Sequence, residues 1–221
     1  MTEANEHAAT VPPKTLVWDW PLRIWHWAFA LVVAGSLTTG LLGDISLMEW
    51  HLRLGYAAIG LLLFRIGWAL WGGRYARLWS FRVSPGGLLA HFRGTAVRLP
   101  RTVPGAALAL LMLLLVAAQA VSGLYTTDDI FTSGPLVRHG SPEVLSLMAT
   151  VHYRLYWAVL FLVGVHLSAH VVYALRGDPT PLSMFTGRKR VATQPTRHLL
   201  VRGLLTAAAA AVAVWWGLAS V

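Results

Sequence analysis

The 221-residue chain contains no cysteine. That excludes disulfides, thiolate-held metal clusters and covalent haem attachment through a C-x-x-C-H motif. Charge is scarce: Asp, Glu, Lys and Arg make up 12% of the residues, where soluble domains carry about 25%. Acidic residues are fewest, 9 against 18 Lys and Arg, and none lies within a long apolar run. A proton relay built on intramembrane carboxylates therefore has no groups to use. No repeat of roughly 20–50 residues is visible, so solenoid and propeller folds are also excluded.

What is present is apolar sequence, 56% of the chain. Five runs, residues 24–42, 51–71, 104–124, 152–175 and 199–219, each approach the ~20 residues that cross ~30 Å of hydrocarbon as a helix. The expectation is an all-α integral membrane protein, with a disordered tail over 1–15, a membrane domain over 16–190 and an extra C-terminal span within 191–221. The first twenty residues are polar and the first run lacks a small-residue cleavage pattern, so the first span is expected to be retained.

A net charge of +9 raises the possibility of nucleic acid, but the basic residues fall at alternate ends of the spans. Lys14 and Arg23 precede the first; Arg74, Arg77, Arg82, Arg93, Arg98 and Arg101 separate the second from the third; Arg176, Arg188, Lys189, Arg190, Arg197 and Arg202 separate the fourth from the fifth. Fourteen of eighteen thus share one side, which the positive-inside rule makes cytoplasmic. The N-terminus is expected inside and the C-terminus outside. The two opposite loops carry Asp44, Glu49, Asp128, Asp129 and Glu143 and are expected to face the exterior. Between spans two and three, "SPGGLLAHFRGTAVRLP" reads as a short interfacial helix, with Leu88, Leu89, Phe92 and Val97 toward lipid and Arg93 and Arg98 toward phosphates.

Ionisable groups inside spans cost about 2.5–3.5 kcal/mol for Asp, Lys or Arg at the helix centre, so those that remain are candidates for function. Here they are His26, His51, Arg65, His152, His166 and His170. The inferred topology places His26 near the cytoplasmic side and His51 and His152 near the external side. His166 follows His152 by 14 residues, a rise of about 21 Å and a rotation about 40° short of whole turns. Two levels follow: His51 with His152 outside, His26 with His166 inside. His170, one turn further, lies a whole number of ideal turns from His152 and also suits His26, so spacing leaves the inner partner open. Paired imidazoles on different helices fit both axial positions of a b-type haem. Zinc and copper want three or four close ligands instead.

Arg65 follows His51 by the same 14 residues. It is a candidate counter-ion for a haem propionate, with snorkelling to the interface as the competing reading. Arg23, three residues before His26, is a candidate for the same propionate or a quinone headgroup. Arg53 and Arg154 read as interface anchors. Gln119 and Ser122 suit either a quinone or helix packing. Trp18, Trp20, Trp25, Trp27, Trp50, Trp68, Trp71 and Trp79 read as an interfacial aromatic belt, with packing on haem as the alternative for some, and Gly55, Gly60 and Gly67 as points of close approach for a helix or the macrocycle. His7, His91, His139 and His198 lie in tail, connector or loop and are not expected to bind a metal.

The stretches "VWDWPLRIWHW", "WHLRLGYAAIGLLLFRIGWALWG" and "VHYRLYWAVLFLVGVHLSAHVVYALRGDPTPLSMFTGRKR" resemble the first, second and fourth helices of the bacterial cytochrome b561 family. The branch is similar to the b-type cytochrome subunit of nickel–iron hydrogenases. The resemblance implies a four-helix transmembrane bundle with two b haems, ligated by His26, His51, His152 and His166. It also implies residence in the cytoplasmic (inner) membrane, contact with lipid, and electron exchange between the quinone pool and an external redox protein or small electron donor. Two features depart from the pattern: "RLPRTVPGAALAL" stands where family members often carry His-Asn-Pro, and the fifth span extends the core. Other readings of the same architecture are an oxidoreductase acting on a small anion such as superoxide at the outer haem, and a haem-bearing anchor for a catalytic partner. A haem-free transporter lacks the expected broken helix.

Overall fold

The computed structural model describes residues 12–95, 99–128 and 132–220. A short strand β1 (Lys14–Leu16) leads into helix α1 (Trp20–Leu42), followed by α2 (Ile45–Trp71), α3 (Pro85–Phe92), α4 (Val103–Gly123), α5 (Pro142–Leu175), α6 (Ser183–Thr186), strand β2 (Arg188–Arg190) and α7 (Leu200–Ala219). One local code starts most of these helices. Asp19, Ser84, Thr102 and Ser141 accept a hydrogen bond from a first-turn amide of α1, α3, α4 and α5, and each of these helices has proline in its first turn. The side-chain oxygen satisfies an orphan amide, and proline occupies a position that needs no donor. Gly43 ends α1 at φ 60°, a left-handed conformation that glycine adopts without a Cβ clash. Asp44 then caps α2 through the Ser46 amide at 2.8 Å, so α1 and α2 form a tight antiparallel pair.

Helices α1, α2, α4, α5 and α7 are long and apolar enough to cross a membrane. Pairing is selective: α1 runs along α2, α4 along α5, α2 touches α4, and α7 lies along α2. The extensive backbone contacts of α5 are with α4 alone, which leaves α5 facing α1 and α2 through side chains. At 34 residues, α5 is about 50 Å long and overshoots ~30 Å of hydrocarbon. Strands β1 and β2 pair antiparallel, with Lys14 opposite Arg190, Thr15 opposite Lys189 and Leu16 opposite Arg188.

The buried core is gathered at the ribbon end of the bundle, around Val17, Trp18, Leu22, Trp25, Phe64 and Trp68. Most long apolar side chains elsewhere face outward, as expected where lipid is as apolar as leucine and helix contacts depend on close packing. Lys14 and Thr15, expected in the disordered tail, instead form most of β1, where the buried Thr15 hydroxyl donates to the Val191 carbonyl at 3.2 Å. The tail up to residue 11 lies outside the described residues. A short helix, α3, does form in the stretch expected to be interfacial, with Leu89 and Phe92 exposed and Leu88 half-buried. Val97 and Arg98, assigned to its faces, lie outside the described residues.

The aromatic belt needs correction. Trp20, Trp27, Trp50, Trp71 and Trp79 are exposed, but Trp18, Trp25 and Trp68 are core residues, Trp68 being 0% exposed. Buried indoles need an acceptor, and each has one: Trp68 donates to Asp19 Oδ1 at 3.1 Å, Trp25 to the Leu61 carbonyl at 2.7 Å and Trp18 to Ser183 Oγ at 3.2 Å. Gly60 and Gly67 admit α7: a Cβ on Gly67 would lie 2.8 Å from Thr206 Cγ2, and one on Gly60 3.5 Å from Val214. Gly55 instead lines a cavity.

Candidate functional site

The long helices bring the intramembrane histidines together in two separate pairs. His51 of α2 faces His152 of α5 with ring centres 6.1 Å apart. His26 of α1 faces His166 of α5 at 6.4 Å. His170 stacks edge-on against His166 at 4.5 Å, so it flanks the inner pair.

The pair formed by His51 and His152 is held by backbone. His51 Nδ1 lies 3.0 Å from the Ser36 carbonyl, with Thr39 Oγ1 at 3.1 Å. His152 Nδ1 lies 3.0 Å from the Gln119 carbonyl, with Ser122 Oγ at 3.3 Å. A carbonyl only accepts, so Nδ1 carries the proton in both rings and Nε2 keeps a free lone pair. Gln119 additionally donates from Nε2 to the His152 carbonyl at 3.1 Å. Gln119 and Ser122 are thus engaged with His152. Both rings sit over glycines: a Cβ on Gly40 would lie 3.0 Å from His51 Cε1, and one on Gly123 2.9 Å from His152 Cε1. Both rings line a cavity of about 380 Å³, together with Leu37, Gly55, Tyr56, Val116, Tyr156 and Val159 among others, within the range typical of cofactor pockets.

The inner pair differs. His26 Nδ1 and His170 Nδ1 are buried without a partner among the described residues. Trp25, next to His26, packs on Phe29 at 5.1 Å between ring centres. Arg65 does not snorkel: it is 5% exposed, donates from Nη2 to the Ala76 carbonyl at 3.0 Å and leaves Nη1 buried without a partner among the described residues. Arg23 is buried too, donating from Nε to the Met184 carbonyl at 2.9 Å with its guanidinium 4.2 Å from the Trp20 ring centre. Arg53 is exposed and pairs with Glu49, as an interface anchor would.

Outside the spans, burial raises the Asp19 carboxyl above its ordinary 3.8, while hydrogen bonds from the Leu22 amide and the Trp68 indole oppose that rise. Burial, and then the neighbouring Arg65, lower Arg101 to about 9. Burial also lowers Lys189, with Asp178 opposing and Arg101 reinforcing the effect. The sequence reading missed Ser36, Thr39, Gly40, Gly123 and Arg101. Glycine inside an apolar helix was a usable signal for two of these, because alanine there favours the helix by about 1 kcal/mol.

Among the described residues, no group of three or more His, Cys, Asp or Glu side chains is placed to share one metal ion. Paired imidazoles between membrane-spanning helices define a multi-pass membrane protein whose donor groups stand opposite each other across inter-helix space. The chain matches the family model of prokaryotic cytochrome b561 over residues 17–187 and belongs to that family. It is therefore a b-type cytochrome of membrane electron transfer, from a family that binds b haems. No curated relative and no solved structure matches the chain.

Proposed function

We propose that this cytochrome carries two b haems, each held by one histidine pair, and relays electrons between the quinone pool and a redox partner at the external face. The observation that carries the reading is the spacing of the pairs. Two imidazoles bound on opposite sides of one metal ion, each by a bond of about 2 Å, have ring centres about 6 Å apart, and the observed separations are 6.1 and 6.4 Å. Spare contact distance alone would not also orient Nδ1 of His51 and His152 onto carbonyls, the arrangement that fixes ring orientation and raises ligand basicity at metal sites. The glycine floors and apolar cavity suit a flat macrocycle.

In this reading His26 and His166 hold the inner haem, and His51 and His152 the outer one. His170 flanks His166 without taking a ligand position. Arg65, with one nitrogen uncommitted, binds a propionate of the inner haem. Arg23 shapes the same end while bonded to the Met184 carbonyl. The two histidine pairs would hold the haems, which when bound would supply one-electron chemistry. The chain fixes distance, ligation and local field.

The test is a reduced-minus-oxidised spectrum with haem quantified per chain. Wild type is expected to show two low-spin b haems. His51→Ala should remove one, His26→Ala and His166→Ala the other, and His170→Ala neither. A haem-free wild type purified from haem-replete cells would overturn the reading.

A further inference from the structure

At the ribbon end, three cations from separate segments converge on two aromatic rings. The Arg65 guanidinium lies 5.5 Å from the Phe81 ring centre, and that of Arg101, just before α4, lies 3.9 Å from it. Arg101 is also 5.1 Å from the Trp18 ring centre, and the Lys189 ammonium of β2 is 5.9 Å from the same ring. The Asp19 carboxyl lies within electrostatic reach of Arg65 and the Asp178 carboxyl within reach of Lys189, but among the described residues neither closes to an ion pair with the cluster, and Arg101 has no carboxylate at that distance. Single carbonyls take part of the two guanidiniums: Ala76 accepts from Arg65 at 3.0 Å and Tyr75 from Arg101 at 3.1 Å. Ring faces offset only part of the cost of gathering like charges away from water. With Asp19 near but not bonded to it, the buried Nη1 of Arg65 keeps a donor without an acceptor among the described residues, and three clustered cations leave room for a further anion.

The cluster adjoins the inner histidines. Lys189 is within electrostatic reach of His170, which touches His166, and Arg65 lies 5.6 Å from the ring centre of Trp25, the neighbour of His26. The outer cavity lacks such a cluster: its described lining contains neither Lys nor Arg.

We propose that Arg65, Arg101 and Lys189 form one carboxylate-binding cap at the edge of the inner pair, and that this cap gives the inner haem a higher potential than the outer one. The inference rests on the two-haem reading above and adds Arg101 and Lys189 to it. The anion is the carboxylate of the macrocycle's own propionates. Fixed positive charge in a poorly screened site favours the state that holds the extra electron. One-electron transfer from the outer site to the inner one is then downhill, with no bond made or broken.

The experiment is a redox titration of the purified holoprotein, with the inner haem identified as the one that His26→Ala removes. The wild-type inner haem is expected at the higher potential. Arg101→Gln and, independently, Lys189→Gln should each lower it and leave the outer potential in place, while Arg101→Lys retains most of the wild-type value. Because Lys189 lies on the ribbon and Arg101 before α4, loss of folding in one variant leaves the other as a test. An inner haem that is the lower of the two in wild type, or potentials that ignore both Gln substitutions with both haems present, would overturn the cap alone. A wild type without haem overturns instead the function proposed above.

Discussion

Gly40 and Gly123 set propensity against function within single residues. In an apolar helix, Gly→Ala ordinarily favours folding by about 1 kcal/mol. Here the added carbon would come within 3.0 Å of His51 or 2.9 Å of His152, and a tilted ring loses its carbonyl anchor. Gly40→Ala and Gly123→Ala are therefore expected to keep or raise helix stability while lowering haem content by about half, through loss of the outer haem alone; pyridine haemochrome assay per chain checks this. Asp19 makes a prediction about pH. Its carboxyl is raised above 3.8 by burial, so the folded state holds that proton where the unfolded state has released it. The stability it contributes is complete below 3.8 and is lost as pH rises through the raised folded value. Relative to Asp19→Asn, the wild-type thermal midpoint should match at the acidic end and fall across that window; parallel curves would show that Asp19 is not the source. Neither effect was legible in the sequence, because each depends on which atoms stand opposite the residue.

Helix α7 shows how an element joins the bundle with no charged group beyond Arg202 in its first turn. Its seat is made by small residues: a Cβ on Gly203 would fall 2.7 Å from Pro21 Cγ, one on Gly67 2.8 Å from Thr206 Cγ2, and Thr206 Oγ1 accepts from the Trp71 indole at 2.9 Å. Gly67→Leu is expected to cost about 1–3 kcal/mol by overpacking, lowering the thermal midpoint by on the order of 2–10 °C, while both haem signals persist because α7 carries no ligand. The turn between α6 and β2 is equally exacting. Gly187 has φ 75°, and its carbonyl accepts from the Val17 and Trp18 amides at 2.8 and 3.0 Å. Gly187→Ala should cost about 1–2 kcal/mol from the left-handed backbone alone, and a Cβ would also press to 2.8 Å from the Trp18 carbonyl. Thermal unfolding measured beside the parent protein checks both substitutions.

At the scale of the whole molecule, the two histidine pairs lie at the two ends of a bundle whose charges are strongly sided. An alkaline phosphatase fused after the C-terminus is expected to be active and one fused within residues 72–84 inactive; the reverse pattern would invert the assignment of inner and outer. The spans were legible because hydrophobic length is a property of the linear chain, and no tertiary contact is needed to make twenty apolar residues insoluble in water. Periodicity also brought His152 and His166 onto one face, since 3.6 residues per turn is local geometry. What only the tertiary structure decided is who meets whom. His26 faces His166 with His170 to one side, Trp68 leaves the expected belt for the core, and Arg65, Arg101 and Lys189 come from segments far apart in sequence to two shared rings. Those outcomes depend on helix rotation and close approach, which are set by small residues, caps and carbonyls acting across helices. Sequence alone determined that the chain spans a membrane with paired histidines; the fold decided their partners, their anchors and the charge around them.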